Sequence, residues 1–162
     1  MRWIIMDTAA VLRAIADHAH PQTSVVCLQN GVANESAALR LFGNVYGVCV
    51  MLPTSHLAPG AVVAHSAPVP GILDIGRYPH GTDSTAEAAA GVLRSAGFES
   101  VPRPDIMRWK YSKLLMNLGN AVEALCGRVE GLDAAVRAVR VEGERVLRVA
   151  GIDVASAEEE AA

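Results

Sequence analysis

The sequence predicts an α/β layer followed by an all-α segment. Short apolar runs of strand length alternate with helical stretches through the first half of the chain. Two prolines, Pro102 and Pro104, then interrupt that rhythm. Beyond them the chain reads as helix from Asp105 almost to Gly127, and again from Leu132 to Ala150.

Ala9 to Ala19 predicts a helix with Val11, Leu12 and Ile15 on one side and Thr8 or Asp7 as its cap. "SVVCL" (Ser24–Leu28) is a continuous apolar run closed by the turn Gln29-Asn30-Gly31, as expected of a buried strand in a parallel sheet. "NESAALRLF" opens a helix, with Asn34 as its cap and Glu35 favoured at the positive end of the helix dipole. "VYGVCVML" (Val45–Leu52) predicts a second buried strand, stopped by Pro53. "GAVVAHSA" and "GILDIGRY" predict an antiparallel pair joined across Pro68, Pro70 and Gly71. Ser84 to Ala96 predicts an alanine-rich helix stopped by Gly97, and "FESVPRP" an edge-like segment. A boundary near Pro104 therefore divides an α/β part, 1–104, from a helical part, 105–162. The tail "AEEEAA" reads as a solvated, frayed acidic end.

Composition narrows the function classes. Of 162 residues, 51% are hydrophobic and 19% charged, which suits a globular chain and excludes a disordered one. A net charge of -3 offers no basic footprint, so nucleic acid is not an expected partner. No apolar run approaches the ~18 residues of a membrane span. The apolar run after Met1-Arg2-Trp3 ends at Asp7, too short for a signal-peptide core. Cys27, Cys49 and Cys126 are widely spaced and form no CxxC pair, which predicts buried thiols in a reducing cytoplasm rather than disulfides or a zinc site. The five histidines show no metal-ligand spacing, so no metal is expected; His56, His65 and His80 read as structural. There is no GxGxxG, no GxxxxGK[ST] and no GxSxG.

One stretch stands out. "KYSKLLMNLGN" sets Lys113, Asn117 and Asn120 within an apolar helical pattern. At about 100° per residue these three project from one side, along ~10 Å of helix. Asparagine is a poor interior helix residue, because its amide competes for backbone bonds. A lysine ammonium beside amide donors suits a small oxygen-rich anion, and can polarise a carbonyl and protonate its oxygen as hydride arrives. A solvated lysine with asparagines that cap or bridge helices fits the spacing too, and spacing alone favours that reading, because i/i+4/i+7 patterns are common by chance. Lys110, near the same stripe, is the rival and reads as a surface lysine that snorkels to water. "LQNGVANE" poses the same choice. Asn30-Gly31 is a plain turn signal, yet the loop at the carboxyl end of a parallel strand is where open α/β sheets bind ligands.

"LQNGVANE", "HLAPGAVVAHSAPVPGILDIGRYP" and "MRWKYSKLLMNLGNAVEAL", in that order, resemble the ketopantoate reductase (2-dehydropantoate 2-reductase) family, and the resemblance spans about Asp7 to Val154. It implies a Rossmann-type NADP-binding domain followed by a helical substrate and dimerisation domain, with the site in the cleft between. It implies NADPH-dependent reduction of ketopantoate, or a related 2-keto acid, on the route to pantothenate and coenzyme A. On this resemblance Lys113 matches the catalytic lysine, Asn117 a substrate-binding asparagine, and Asn30 the asparagine near nicotinamide and substrate. Asn120 matches a further substrate asparagine, which several family members carry one residue later. The family's glycine-rich NADPH loop would precede residue 1, and its later helices, with a serine and a glutamate of the site, would follow residue 162. The chain thus reads as the C-terminal part of a Rossmann domain and the first helices of a helical domain, an incomplete enzyme. The competing expectation is a non-catalytic remnant that serves as an interaction or assembly module. Val136, Val139, Val146 and Leu147 would then leave an apolar face that favours a partner chain or a homodimer.

Overall fold

The computed structural model describes residues 7–127, 129–156 and 158–159. In chain order it contains α1 (Thr8–Ala16), β1 (Ser24–Cys27), α2 (Asn34–Leu39), β2 (Asn44–Met51), β3 (Thr54–Ala58), β4 (Ala61–Ala64), β5 (Ile72–Arg77), α3 (Ser84–Ser95), α4 (Ile106–Cys126) and α5 (Leu132–Val149). The chain divides into two compact units, Met1–Met107 and Arg108–Ala162. The α/β-then-helical order expected from the sequence is the order observed.

The first unit is built around β2. It pairs parallel with β1 on one side and antiparallel with β5 on the other. Successive side chains of a strand point to opposite faces. Val45 accordingly packs with Leu12, Cys27, Ala38 and Phe42 on one face. Tyr46 and Val48 pack with Leu73, Ile75, Ala86 and Ala90 on the other. Helices on both faces explain why β2 reads as an unbroken apolar run. Each fully buried Val or Ile contributes about 1.5–3 kcal/mol through removal from water, and Val45, Val48 and Ile75 are all of this kind.

The helix starts differ from the sequence reading. Asp7 precedes α1 but makes no side-chain cap bond, and Thr8 lies inside the helix with its hydroxyl directed to Asn34 instead. α1 stops at Ala16; Ala19 is reached only by a turn, its N–H donating to the Ile15 carbonyl at 2.8 Å. α2 has Ala33 at the cap position, and Asn34 is its first helical residue, so Asn34 is not the cap. The next residue, Glu35, is fully buried. Gly47 on β2 makes room for it: a Cβ at Gly47 would lie 3.2 Å from Glu35 Oε1.

A second correction concerns strand pairing. "GAVVAHSA" does not pair with "GILDIGRY". β4 pairs with β3, and β5 pairs with β2. The stronger turn signal is Pro59-Gly60, where Gly60 takes a φ of 78° and Ala58 sits opposite Ala61. This short loop pairs its flanking strands before the longer Pro-rich stretch can. β4 is exposed throughout, with Val62 and Val63 open to solvent.

α3 is capped by Asp83, whose Oδ1 accepts the N–H groups of Thr85 and Ala86 at 3.0 Å each. Gly97, at φ 91°, follows the helix as expected. The segment after it runs parallel along β5, with bridges at Ile72–Glu99 and Ile75–Pro102. Asp74 of β5 fastens it: Oδ1 accepts Val101 N–H at 2.9 Å and Oδ2 accepts Arg103 Nε at 2.8 Å.

In the second unit α4 and α5 pack through small residues. A Cβ at Gly119 would come within 3.0 Å of Val136, and one at Gly143 within 2.6 Å of Leu118. Arg108 donates to Asp153 at 2.6 Å and to both Glu159 oxygens at 2.9 and 3.0 Å. Ser156 and Glu159 form a reciprocal capping box, at 2.8 and 3.2 Å. Glu159 is therefore tied down rather than frayed; Ala157 and residues 160–162 of the tail lie outside the described residues. The Arg108 hydrogen bonds, ahead of the Ser156 N–H, hold the Glu159 carboxyl down at about 2. Cys27 and Cys49 are buried as expected, but Cys126, in the last turn of α4, is exposed.

Candidate functional site

β1 ends at Cys27, and the chain leaves its carboxyl end through Gln29, Asn30 and Gly31. Gly31 has a φ of 87°, which a side chain would resist. In open α/β sheets this end of a parallel strand is the ligand side. Asn30 is exposed there. Its carbonyl accepts Asn34 Nδ2 at 3.1 Å. Asn34 Oδ1 accepts the Thr8 hydroxyl at 3.3 Å, and that hydroxyl accepts Gln29 Nε2 at 3.3 Å. A polar cluster thus gathers at the mouth of β1 from α1, α2 and the loop between β1 and α2.

The Asn30 carboxamide offers a donor and an acceptor, which suits the carboxamide of a nicotinamide ring. The described residues contain no glycine-rich loop at a helix N-terminus to cradle a pyrophosphate, and the sequence has no GxGxxG. Among the described residues, the mouth of β1 offers polar groups, and none forms a cradle for a pyrophosphate.

In the second unit, the side of α4 that meets α5 is marked by Leu115, Leu118 and Gly119. Lys113 lies about 200° around the helix from Leu115, and Asn117 and Asn120 follow it on the same stripe. The stripe is turned away from α5. Lys113 and Asn117 are half-buried, whereas Asn120 is exposed.

Lys110 departs from expectation. It is only 4% exposed and does not snorkel to water. Its place near the start of α4 gave the opposite impression, because helical periodicity shows which residues share a stripe and not which stripe is covered.

A cavity of about 350 Å³ lies between α4, α5 and the segment after α5, lined by Ser112, Leu115, Arg140, Glu144, Arg148 and Asp153 among others. None of the four predicted site residues lines it. Three of them, Lys113, Asn117 and Asn120, share one stripe of α4; Asn30 belongs to the other unit. Thr8, Gln29 and Asn34 were missed as participants in the cluster. Asn34 read as a cap because a cap asparagine and one reaching back to a loop carbonyl have the same local sequence.

The family model for ketopantoate reductase PanE/ApbA matches residues 5–80. A 2-dehydropantoate 2-reductase of Pyrococcus horikoshii is 30% identical over 116 residues, covering 68% of this chain and 38% of that protein. The one from Pyrococcus abyssi is 29% identical over 57% of this chain and 30% of its own length. The chain thus spans well under half the length of these curated relatives. Among solved structures, a PanE/ApbA family ketopantoate reductase from Ralstonia eutropha superposes with a TM-score of 0.77 at 26% identity, over 93% of this chain and 51% of its own. A D-mandelate dehydrogenase, solved with NADH and anilino(oxo)acetate, superposes with a TM-score of 0.75 at 21% identity, over 92% of this chain and 50% of its own, which shows a shared fold.

Proposed function

We propose that this chain, which belongs to the ketopantoate reductase family, carries the proton-donating and substrate-holding part of an NADPH-dependent reductase of 2-dehydropantoate or a related 2-keto acid. The observation that carries the reading is the stripe on α4: one half-buried lysine aligned with two asparagines, turned away from the helix that packs on the opposite side.

Lys113 Nζ is positively charged at neutral pH and has three donors. Set beside a ketone oxygen, it polarises the carbonyl and stabilises the negative charge that develops there. It then gives up a proton to that oxygen, which leaves the alcohol. Asn117 and Asn120 hold the carboxylate and hydroxyl oxygens of the substrate with their amide N–H groups. Asn30 holds the nicotinamide side at the mouth of β1. A reduced nicotinamide, when bound, supplies the hydride to the carbonyl carbon.

The test is ketopantoate-dependent oxidation of NADPH, followed by absorbance, by a full-length family enzyme that carries this segment together with a glycine-rich dinucleotide loop. Lys113→Ala is expected to lower turnover about 10²–10⁴-fold, the range for removal of a positioned proton donor. Undiminished turnover in Lys113→Ala would remove Lys113 from the chemistry.

One observation favours an assembly module as a second reading. Of the α5 residues expected to form an open apolar face, Val146 is 59% exposed, whereas Leu147 is only 8% exposed and Val136 packs against Gly119 of α4; Val149 and Leu125 are 82% and 88% exposed. An apolar groove of about 310 Å³ between α4 and α5 is lined by Leu114, Leu118, Val139 and Val146. Light scattering over a range of concentrations separates the two: a monomer at every concentration leaves the assembly reading without support.

A further inference from the structure

We propose that Asn34 is a positioning residue, whose buried carboxamide fastens the loop bearing Asn30 to the first turn of α1. This rests on the reading of Asn30 given above. Asn34 is 6% exposed, so its amide cannot rely on bulk water. Both ends of it are used. Nδ2 donates to the Asn30 carbonyl at 3.1 Å, and Oδ1 accepts from Thr8 at 3.3 Å. Gln29 in turn donates to the Thr8 hydroxyl at 3.3 Å. All three donations run one way, from Gln29 through Thr8 and Asn34 to Asn30.

The circuit leaves the loop at Gln29 and returns to it at the next residue. It therefore closes a ring through the start of α1 and the start of α2, with the Gln29–Asn30 peptide as its last link. A reversed Asn34 amide would set its oxygen against the Asn30 carbonyl, so the network selects one orientation. Asn34 is itself well anchored. The adjacent Glu35 is fully buried against Gly47 of the central strand. Gly31 adopts a φ of 87° with nothing within 4 Å of where a Cβ would be, and such a residue moves freely unless its neighbours are held. Asn34 thus converts a glycine-containing turn into a fixed platform for the exposed Asn30 side chain.

Two variants of the full chain test this. Asn34→Leu keeps the shape and removes both hydrogen bonds. Thr8→Val removes only the bridging hydroxyl and leaves Asn34 in place, so it decides the matter if Asn34→Leu does not fold. Backbone ¹⁵N order parameters are read for residues 30–33 and, as an internal control, for 45–49 of β2. The expected result is a fall in the loop to below about 0.6, the flexible range, with β2 unchanged in the rigid range near 0.85. With the same substitutions in the full-length family enzyme that carries this segment, ketopantoate-dependent turnover should fall about tenfold with less than twofold change in the KM for ketopantoate. A loop that stays rigid in both variants overturns the proposal. So does equal loosening of loop and β2, which is the mark of a merely structural residue. A loosened loop with unchanged turnover keeps Asn34 as the pin of the loop and removes Asn30 from the reaction instead.

Discussion

The Tyr46 hydroxyl donates to Asp83 Oδ2 at 2.9 Å, and so ties the central strand to the start of α3. Arg77 of β5 donates to the same oxygen at 2.8 Å. Burial alone would raise the Asp83 carboxyl; hydrogen bonds from Ala86, Tyr46, Arg77 and Thr85 outweigh it and hold the group below its ordinary 3.8. A carboxyl depressed in the folded state contributes stability that is fully present above its unfolded value. That contribution is lost as pH falls through the folded value. Asp83→Asn keeps a good cap but removes the charge. Thermal unfolding followed by circular dichroism should show wild type ahead of Asp83→Asn at pH 7, with the gap closing progressively below about pH 4. Asp83→Ala should cost about 1–2 kcal/mol at pH 7 through the lost cap.

Asp74→Ala should cost more. The carboxylate is 7% exposed and bonds both the Val101 N–H and Arg103. Removing one member of a buried pair costs about 3–5 kcal/mol, and Arg103, being 31% exposed, should place the loss near the lower end. Chemical denaturation gives the number. A loss under 1 kcal/mol would mean that the edge segment is held by its backbone bonds alone.

Glu159 supplies a titration test in the second unit. Its side chain is exposed, yet two Arg108 contacts and the Ser156 box hold its carboxyl at about 2 against an ordinary 4.5. Carbon-detected NMR titration should find it still ionised at pH 3.5. Arg108→Met should return it toward the ordinary carboxylate range, whereas an unshifted value in that variant would point to the capping box as the sole cause.

Lys110 and Lys113 should separate cleanly when each is replaced by alanine. Lys110 is 4% exposed, so truncation strips packed methylenes and is expected to cost about 1–3 kcal/mol of stability. Turnover of the folded Lys110→Ala protein should stay within a few-fold of wild type. Lys113→Ala should show the reverse pattern, a stability near wild type and a large loss of turnover. A larger loss of turnover from Lys110→Ala would exchange the two roles.

Some of this architecture was legible from residue pattern and some was not. The run at Asn44–Met51 announced itself because a strand covered by helices on both faces has no polar side to display, whereas Ser24–Cys27, read as buried from the same signal, leaves Ser24 and Val26 exposed and buries only Cys27. The long helices after Pro104 were equally plain from their period. Pairing was harder. An apolar run such as Ala61–Ala64 looks the same whether buried in a sheet or exposed in a hairpin, and only the competition between two turns decided its partner. Lys110 was misjudged because burial belongs to the stripe that another element covers. Thr8 and Asn34 were misjudged because short polar side chains near a helix start can serve the cap or a neighbouring loop, and tertiary distance makes the choice.

The β3–β4 hairpin sits within the connection that joins β2 to β5, since Met51 already lies opposite Ile72. β2 and β5 are therefore the two arms of a larger hairpin whose loop has folded on itself. Such an inset is a natural place for grafting. A short type I′ turn in place of residues 52–71 would close the same two arms in the same register, and a foreign peptide could be displayed at Pro59-Gly60 without entering either face of the sheet. The cost of closing a loop grows only slowly with its length, so the sheet tolerates a long excursion there as readily as a short one.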